Sequence, residues 1–225
     1  IVFNGDGSLG NITVTAKSDG SVKGYVGNPQ ASLPSKVGEK LRVGEVVGKG
    51  TLRIIYDLAM REPYSGVVEI QSGEIADDIA YYLTSSDQIP SAVSLGVLFN
   101  DDSSVREAGG FIVQLMDGAT DETAALLEER IASLPSVTTM LSEGETPESI
   151  LERILGDMDL QILEDGSVAF RCDCTRERTL KLLSLVSADE LQDMVDEGED
   201  VEMVCAFCNS KYQYSPDEIA ALIEE

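Results

Sequence analysis

Between residues 12 and 26 apolar and polar positions alternate twice around a turn. Ile12-Thr13-Val14-Thr15-Ala16 reads as one strand, Ser18-Asp19-Gly20 as the turn and Val22-Lys23-Gly24-Tyr25-Val26 as the returning strand. That is the pattern of a β-hairpin. Residues 51–56 and 67–70 are further strand candidates. Residues 92–99 and 111–116 flank the turn-rich Asn100-Asp101-Asp102-Ser103 and are expected to pair. Over 74–84 the period becomes helical, with Ile75, Ile79, Tyr82 and Leu83 close to one stripe. The mixture predicts an α+β fold, packed β-sheets with at least one helix laid against them.

The pattern changes near residue 117. An acidic amphipathic stretch over 120–134 carries Leu126, Leu127, Ile131 and Leu134 on one stripe. Thr146-Pro147-Glu148 is a helix start, Thr as N-cap and Pro at the first helical position. Ile150, Leu151, Ile154 and Leu155 follow on one face, and Gly156 is placed to end that helix. Beyond it a hairpin is expected, 160–163 against 168–170, delivering the chain into Cys172. A helix with Leu180, Leu182, Leu183 and Leu185 follows. Ser187-Ala188-Asp189-Glu190 and Ser215-Pro216-Asp217-Glu218 read as capping boxes opening two more helices. Between these, 201–204 leads into a second cysteine pair and 211–214 leads out. Three parts are predicted: a β-rich N-terminal core domain over 1–116, an acidic helical linker over 117–157, and a small C-terminal zinc-binding domain over 158–225.

The chain has 225 residues, 43% of them hydrophobic, enough for one good core and a smaller second unit. Forty-one acids against 16 bases leave a formal net charge of −25. Such a surface repels phosphate backbones and anionic bilayers, so neither nucleic acid nor membrane is expected as a partner. The first residue is Ile1, inside a strand-like pattern, and the chain is expected to lack part of an N-terminal segment.

Chemistry concentrates in four cysteines, Cys172 and Cys174 in one pair and Cys205 and Cys208 in another, with no histidine anywhere. Two such pairs in an otherwise Cys-free chain read as one tetrahedral, all-thiolate zinc site, one Zn2+ per chain. Two local disulfides would suit a short, Cys-dense secreted scaffold, which this chain is not. A lone CxxC redox pair has no need of a companion CxC. Cysteines used as thiolates need a reducing compartment, so a cytoplasmic location is predicted. Arg171, Arg176, Arg178 and Lys181 around the first pair, with Lys211 after the second, would offset the cluster's negative charge. A segment of under about 70 residues is marginal without a metal staple, and structural zinc contributes roughly 10–16 kcal/mol to such a unit. An oxidant that takes the thiolates would remove the ligands and that contribution together.

Other motifs fall away. Gly5-Asp6-Gly7-Ser8-Leu9-Gly10 fits GxGxxG, yet a strand pattern follows where a dinucleotide site needs a helix. Residues 44–50 resemble a phosphate loop but are one residue short, with Gly50 where Ser or Thr should stand. The acid pairs Asp77-Asp78, Asp101-Asp102 and Glu128-Glu129 read as solvated faces or turns. No catalytic residue is assigned, and the chain is not read as an enzyme. Two other uses of the cysteines stand beside an oxidation switch: a constitutive zinc-stapled adaptor with a purely structural metal, and a thiol oxidoreductase working through Cys205 and Cys208.

The cysteine pattern, with Cys205-Ala206-Phe207-Cys208-Asn209, resembles the zinc centre of the redox-regulated heat-shock chaperone of thirty-three kilodaltons, the 33 kDa chaperonin family. Gly24-Tyr25-Val26-Gly27-Asn28-Pro29, Ser72-Gly73-Glu74-Ile75-Ala76-Asp77-Asp78, Gln88-Ile89-Pro90-Ser91-Ala92 and Ala108-Gly109-Gly110-Phe111-Ile112-Val113 agree with it. The resemblance implies an ATP-independent holdase, inactive when reduced and zinc-bound. It implies that oxidation forms Cys172–Cys174 and Cys205–Cys208 disulfides and releases zinc. The C-terminal unit then unfolds, the linker is destabilised, unfolded client proteins bind and homodimers form.

Overall fold

The computed structural model describes residues 1–32 and 41–223. Two compact units are present, Ile1–Thr13 with Val26–Gly166, and Val14–Tyr25 with Ser167 onward. The architecture is mixed α+β, as the alternation predicts.

The chain opens with β1 (Val2–Gly5), β2 (Asn11–Ala16) and β3 (Ser21–Val26), then α1 (Gly44–Val47), β4 (Gly50–Tyr56) and β5 (Tyr64–Glu69). In the first unit β5, β4, β1 and β2 lie side by side and antiparallel, Phe3 opposite both Ile12 and Leu52. Alternation in β4 sends Leu52 and Ile54 inward, where they meet Phe3 and Val47. Helix α2 (Ile75–Ser85) closes this core with Tyr82 and Leu83. The glycine-rich 5–10 segment links two strands, and no helix follows it. A Cβ on Gly5 would stand 1.9 Å from the Val47 carbonyl oxygen, so the glycine there serves the close approach of α1.

One acid departs from the sequence reading. Asp78 is fully buried and not part of a solvated face. Its carboxylate accepts the backbone N–H groups of Gln71, Ser72 and Gly73 at 2.7, 3.1 and 2.8 Å. The loop entering α2 has no secondary-structure partner for those donors, and the buried one, the Gly73 N–H, must find an acceptor.

A second core in the same unit joins β6 (Ser91–Phe99), β7 (Val105–Gln114), α3 (Asp121–Ser133), α4 (Val137–Ser142) and α5 (Pro147–Leu155). Leu127, Val137, Met140, Ile150 and Ile154 are buried in it beside Phe111 and Val113. Strand β7 starts six residues before the expected 111, because Arg106 and Glu107 interrupt the apolar pattern while the pairing with β6 resumes beyond them, past an irregularity at Arg106. Helix α4 was not foreseen; six residues are too few to show a period. It lies against Gly96 and Gly109, where a Cβ would stand 2.8 Å from Thr138 Cγ2 and Leu141 Cδ1 respectively. The start of α5 is capped as expected, and both halves of the box form between Thr146 and Ser149.

The second unit contains β8 (Ala169–Phe170), α6 (Arg176–Leu183), α7 (Ala188–Glu197), β9 (Val201–Val204), β10 (Lys211–Tyr214) and α8 (Pro216–Ile223). Its small core is Leu183, Leu191, Tyr214 and Ile219. The expected 160–163 hairpin does not form. Ile162 and Leu163 are exposed, and β8 pairs instead in parallel with β3, Val22 opposite Phe170. The open edge of a strand already in place supersedes a weak local hairpin. The caps divide as well. Ser215 and Glu218 complete a reciprocal box, whereas Ser187 donates its hydroxyl to Glu190, so the carboxylate does not return to the Ser187 backbone.

Candidate metal centre

Cys172 and Cys174 lie on the short passage from β8 into α6, where Thr175 accepts the Arg178 backbone N–H and fixes the helix start. Cys205 and Cys208 lie on the turn between β9 and β10. Cys205 N–H donates to the Ser210 carbonyl at 2.9 Å and its own carbonyl accepts from Asn209 N–H at 2.8 Å. Asn209 takes a left-handed φ of 58°, which the tight return requires and Asn tolerates. These two backbone devices bring all four cysteines together, residues from positions more than thirty apart.

The four sulfurs lie within 4.8 Å of one another, with Cys172 Sγ 3.7 Å from Cys205 Sγ and Cys174 Sγ 3.3 Å from Cys208 Sγ. A tetrahedral ion with metal–sulfur bonds of about 2.3 Å sets its ligands about 3.8 Å apart. The cluster fits such an ion in size, in donor type and in number. Tyr212 supports it from β10, donating its hydroxyl toward the Cys174 carbonyl and sulfur at 3.1 and 3.2 Å. That contact raises the phenol to about 12. The thiols are not equivalent. Burial, above all, pushes Cys172 up to about 12, while hydrogen bonding to Ser210, whose hydroxyl is 3.2 Å from the sulfur, draws Cys208 down to about 6.

Three of the bases pair with carboxylates. Arg176 pairs with Glu218 at 2.8 Å and stacks on Tyr214, and Lys211 pairs with Glu202 at 2.9 Å. Arg178 reaches Asp173, the residue between the first two cysteines, at 2.6 Å. Two lysines that sequence spacing did not single out meet the same carboxylate, Lys17 at 2.8 Å and Lys23 at 2.5 Å. Three cations hold the Asp173 carboxyl far below the ordinary carboxylate range. Phe207, inside the second pair, was missed too: its ring meets Tyr25 edge-on at 5.0 Å, with Lys23 Nζ 4.8 Å from its centroid.

A mixed α+β chain with a four-cysteine cluster in its smaller, C-terminal unit is the class that fold and site define. A family model described as Hsp33 protein matches residues 1–215. A 33 kDa chaperonin of Clostridium perfringens (strain SM101 / Type A) is 49% identical over 225 residues, 99% of this chain and 71% of that protein. Another 33 kDa chaperonin, from Clostridium beijerinckii, is 49% identical over 222 residues, 98% of this chain and 76% of the relative. The crystal structure of the 33 kDa chaperonin (Heat shock protein 33 homolog) from Thermotoga maritima superposes with a TM-score of 0.87 at 37% identity, covering 99% of this chain and 76% of that one. The chain belongs to the Hsp33, or 33 kDa chaperonin, family, and so to the chaperones and not to the enzymes. Among the described residues no helix is long and apolar enough to cross a membrane.

Proposed function

We propose that this chain is a redox-regulated, ATP-independent holdase of the cytoplasm, closed when reduced and loaded with one Zn2+, and opened by oxidation. The observation that carries the reading is the gathering of four sulfurs within 4.8 Å in a chain of a chaperone family. When bound, zinc would hold Cys172, Cys174, Cys205 and Cys208 as thiolates and cross-link the two cysteine turns. Each pair then meets one peroxide. Two thiolates and two protons yield one disulfide and two waters, the pair giving two electrons to the O–O bond. We assign the disulfides Cys172–Cys174 and Cys205–Cys208. Both are local, so the two turns end with neither a shared ion nor a covalent bond between them. Sulfurs tied in disulfides would no longer serve as thiolate ligands to a metal ion.

Units under about 70–80 residues rarely supply more than about 3–5 kcal/mol from their own core, against roughly 10–16 kcal/mol from structural zinc. The C-terminal domain over 158–225 therefore unfolds on oxidation, the linker over 117–157 is destabilised after it, unfolded clients bind, and the open form dimerises. The test follows zinc content, thiol count and suppression of aggregation of a denatured protein on the same samples, before and after peroxide with mild heating. About one zinc per chain should leave as suppression appears. Zinc loss with no gain in suppression would point to a purely structural metal and sink the proposal.

A further inference from the structure

Strand β3 has one edge facing β2, and its other edge is covered by only two residues. Ala169 N–H donates to the Gly20 carbonyl and Arg171 N–H to the Val22 carbonyl, each at 3.0 Å. A two-residue parallel pairing is a weak cover, since parallel ladders are the less stable kind and this one is short. Most of what holds it lies beyond the strand. Asp173, three residues after Phe170, sits between Lys17 and Lys23 of the hairpin. Phe207 lies on Tyr25 and Lys23. Phe170 itself remains 59% exposed, so its side chain contributes little to the hold.

Both hairpin lysines pair with one carboxylate, that of Asp173 between the first two cysteines. In a chain with 16 bases and 41 acids, an edge carrying two lysines is a local exception to the prevailing charge. Removing residues 169–173 bares a strand edge with unpaired backbone carbonyls and two cations without their acid. Such an edge accepts an extended chain by strand addition, in which backbone hydrogen bonds provide affinity and flanking side chains provide selectivity.

We propose that the outer edge of β3 is a strand-addition site for unfolded client segments, and that residues 169–173 occupy it in the closed form as an internal stand-in. The client class is an extended segment in which an aspartate or glutamate follows the paired residues by about three positions, as Asp173 follows Phe170. This inference rests on the oxidation-activated holdase reading and deepens it.

The probe is a fluorescein-labelled peptide with the sequence of residues 166–174, both cysteines replaced by serine. Its anisotropy is read with the full chain, reduced and zinc-loaded or peroxide-treated. Binding should be at least about tenfold tighter to the treated chain, because the internal copy no longer competes. Asp173→Lys in the peptide, or Lys17→Glu with Lys23→Glu in the protein, should each weaken binding by about tenfold or more. Excess peptide should also reduce suppression of client aggregation. Should the double variant fail to fold, hydrogen exchange in the treated wild type decides: the Val22 and Gly24 amides should gain protection on peptide addition. Suppression that persists in the treated chain without any peptide binding would overturn the inference and leave the holdase reading standing. A dimer that the peptide dissociates, with suppression untouched, would assign the edge to a second copy and overturn it as well. If suppression never appears, the holdase reading falls, and peptide anisotropy alone still reports on the edge.

Discussion

Asp78 shows how one side chain can fix a junction. Its three backbone donors enter α2 from a loop with no other acceptor for them. Asp78→Ala should lower stability by about 3 kcal/mol or more, since three hydrogen bonds to one carboxylate are lost and the buried Gly73 donor is left unmet. Urea unfolding of the first unit measures this, and a loss within the usual range of surface substitutions, about 0.5 kcal/mol, would contradict the assignment. At this scale sequence was a poor guide. In so acidic a chain an Asp-Asp pair reads as solvated, and nothing local marks Asp78 as the acceptor for the loop at 71–73. The cysteines are the opposite case. Their chemistry is borne by the residue type itself, so Cys172, Cys174, Cys205 and Cys208 could be singled out before any coordinates. Asp173, Lys17, Lys23 and Phe207 could not, because their roles come from contacts between positions 150 or more residues apart.

Among the elements, those with long periods or strong caps were legible: the β2–β3 hairpin, α2, α3 and α5. Helix α4 and strand β8 were not, since a six-residue helix and a two-residue strand acquire their form from what they pack on. Helix α4 rests on Gly96 and Gly109, which identifies one physical need behind the Ala108-Gly109-Gly110-Phe111 run: any larger residue at 109 would push Leu141 away from β7. Helices α3 and α5 are tied by Arg130, which donates to the Ile154 carbonyl at 3.0 Å and pairs with Asp157 at 2.6 Å. The guanidinium, through its hydrogen bond, holds the Asp157 carboxyl below its ordinary 3.8. A depressed carboxylate stabilises the fold fully above that value, and its contribution is lost as pH falls through the lower, folded-state value. Asp157→Asn should therefore melt below the wild type at neutral pH, and the two should converge in acid. Parallel thermal melts across that range test the tie; a constant gap would refute it.

For the whole molecule, the decisive feature is that one cluster of sulfurs sits in a unit whose core, among the described residues, is built on four buried side chains. Chelation under reducing conditions should abolish the cooperative melting of this unit and leave that of the first unit in place. Calorimetry, with hydrogen exchange over 169–223, distinguishes the outcomes. A metal-free, fully reduced chain that keeps a cooperative second transition would show that sulfur and metal do not hold the fold.

Lys23 of the hairpin and Asp173 are 150 positions apart. A ribosome adding roughly 5–20 residues per second takes about 8–30 s to cover that span. Throughout that interval the lysines of the hairpin have no aspartate to meet, and the last two cysteines have yet to be made. Every molecule thus begins with its hairpin lysines apart from Asp173 and completes its four-sulfur cluster last. With the zinc-closed resting state proposed above, a cell short of that metal would accumulate newborn chains in the unlatched form without ever encountering an oxidant.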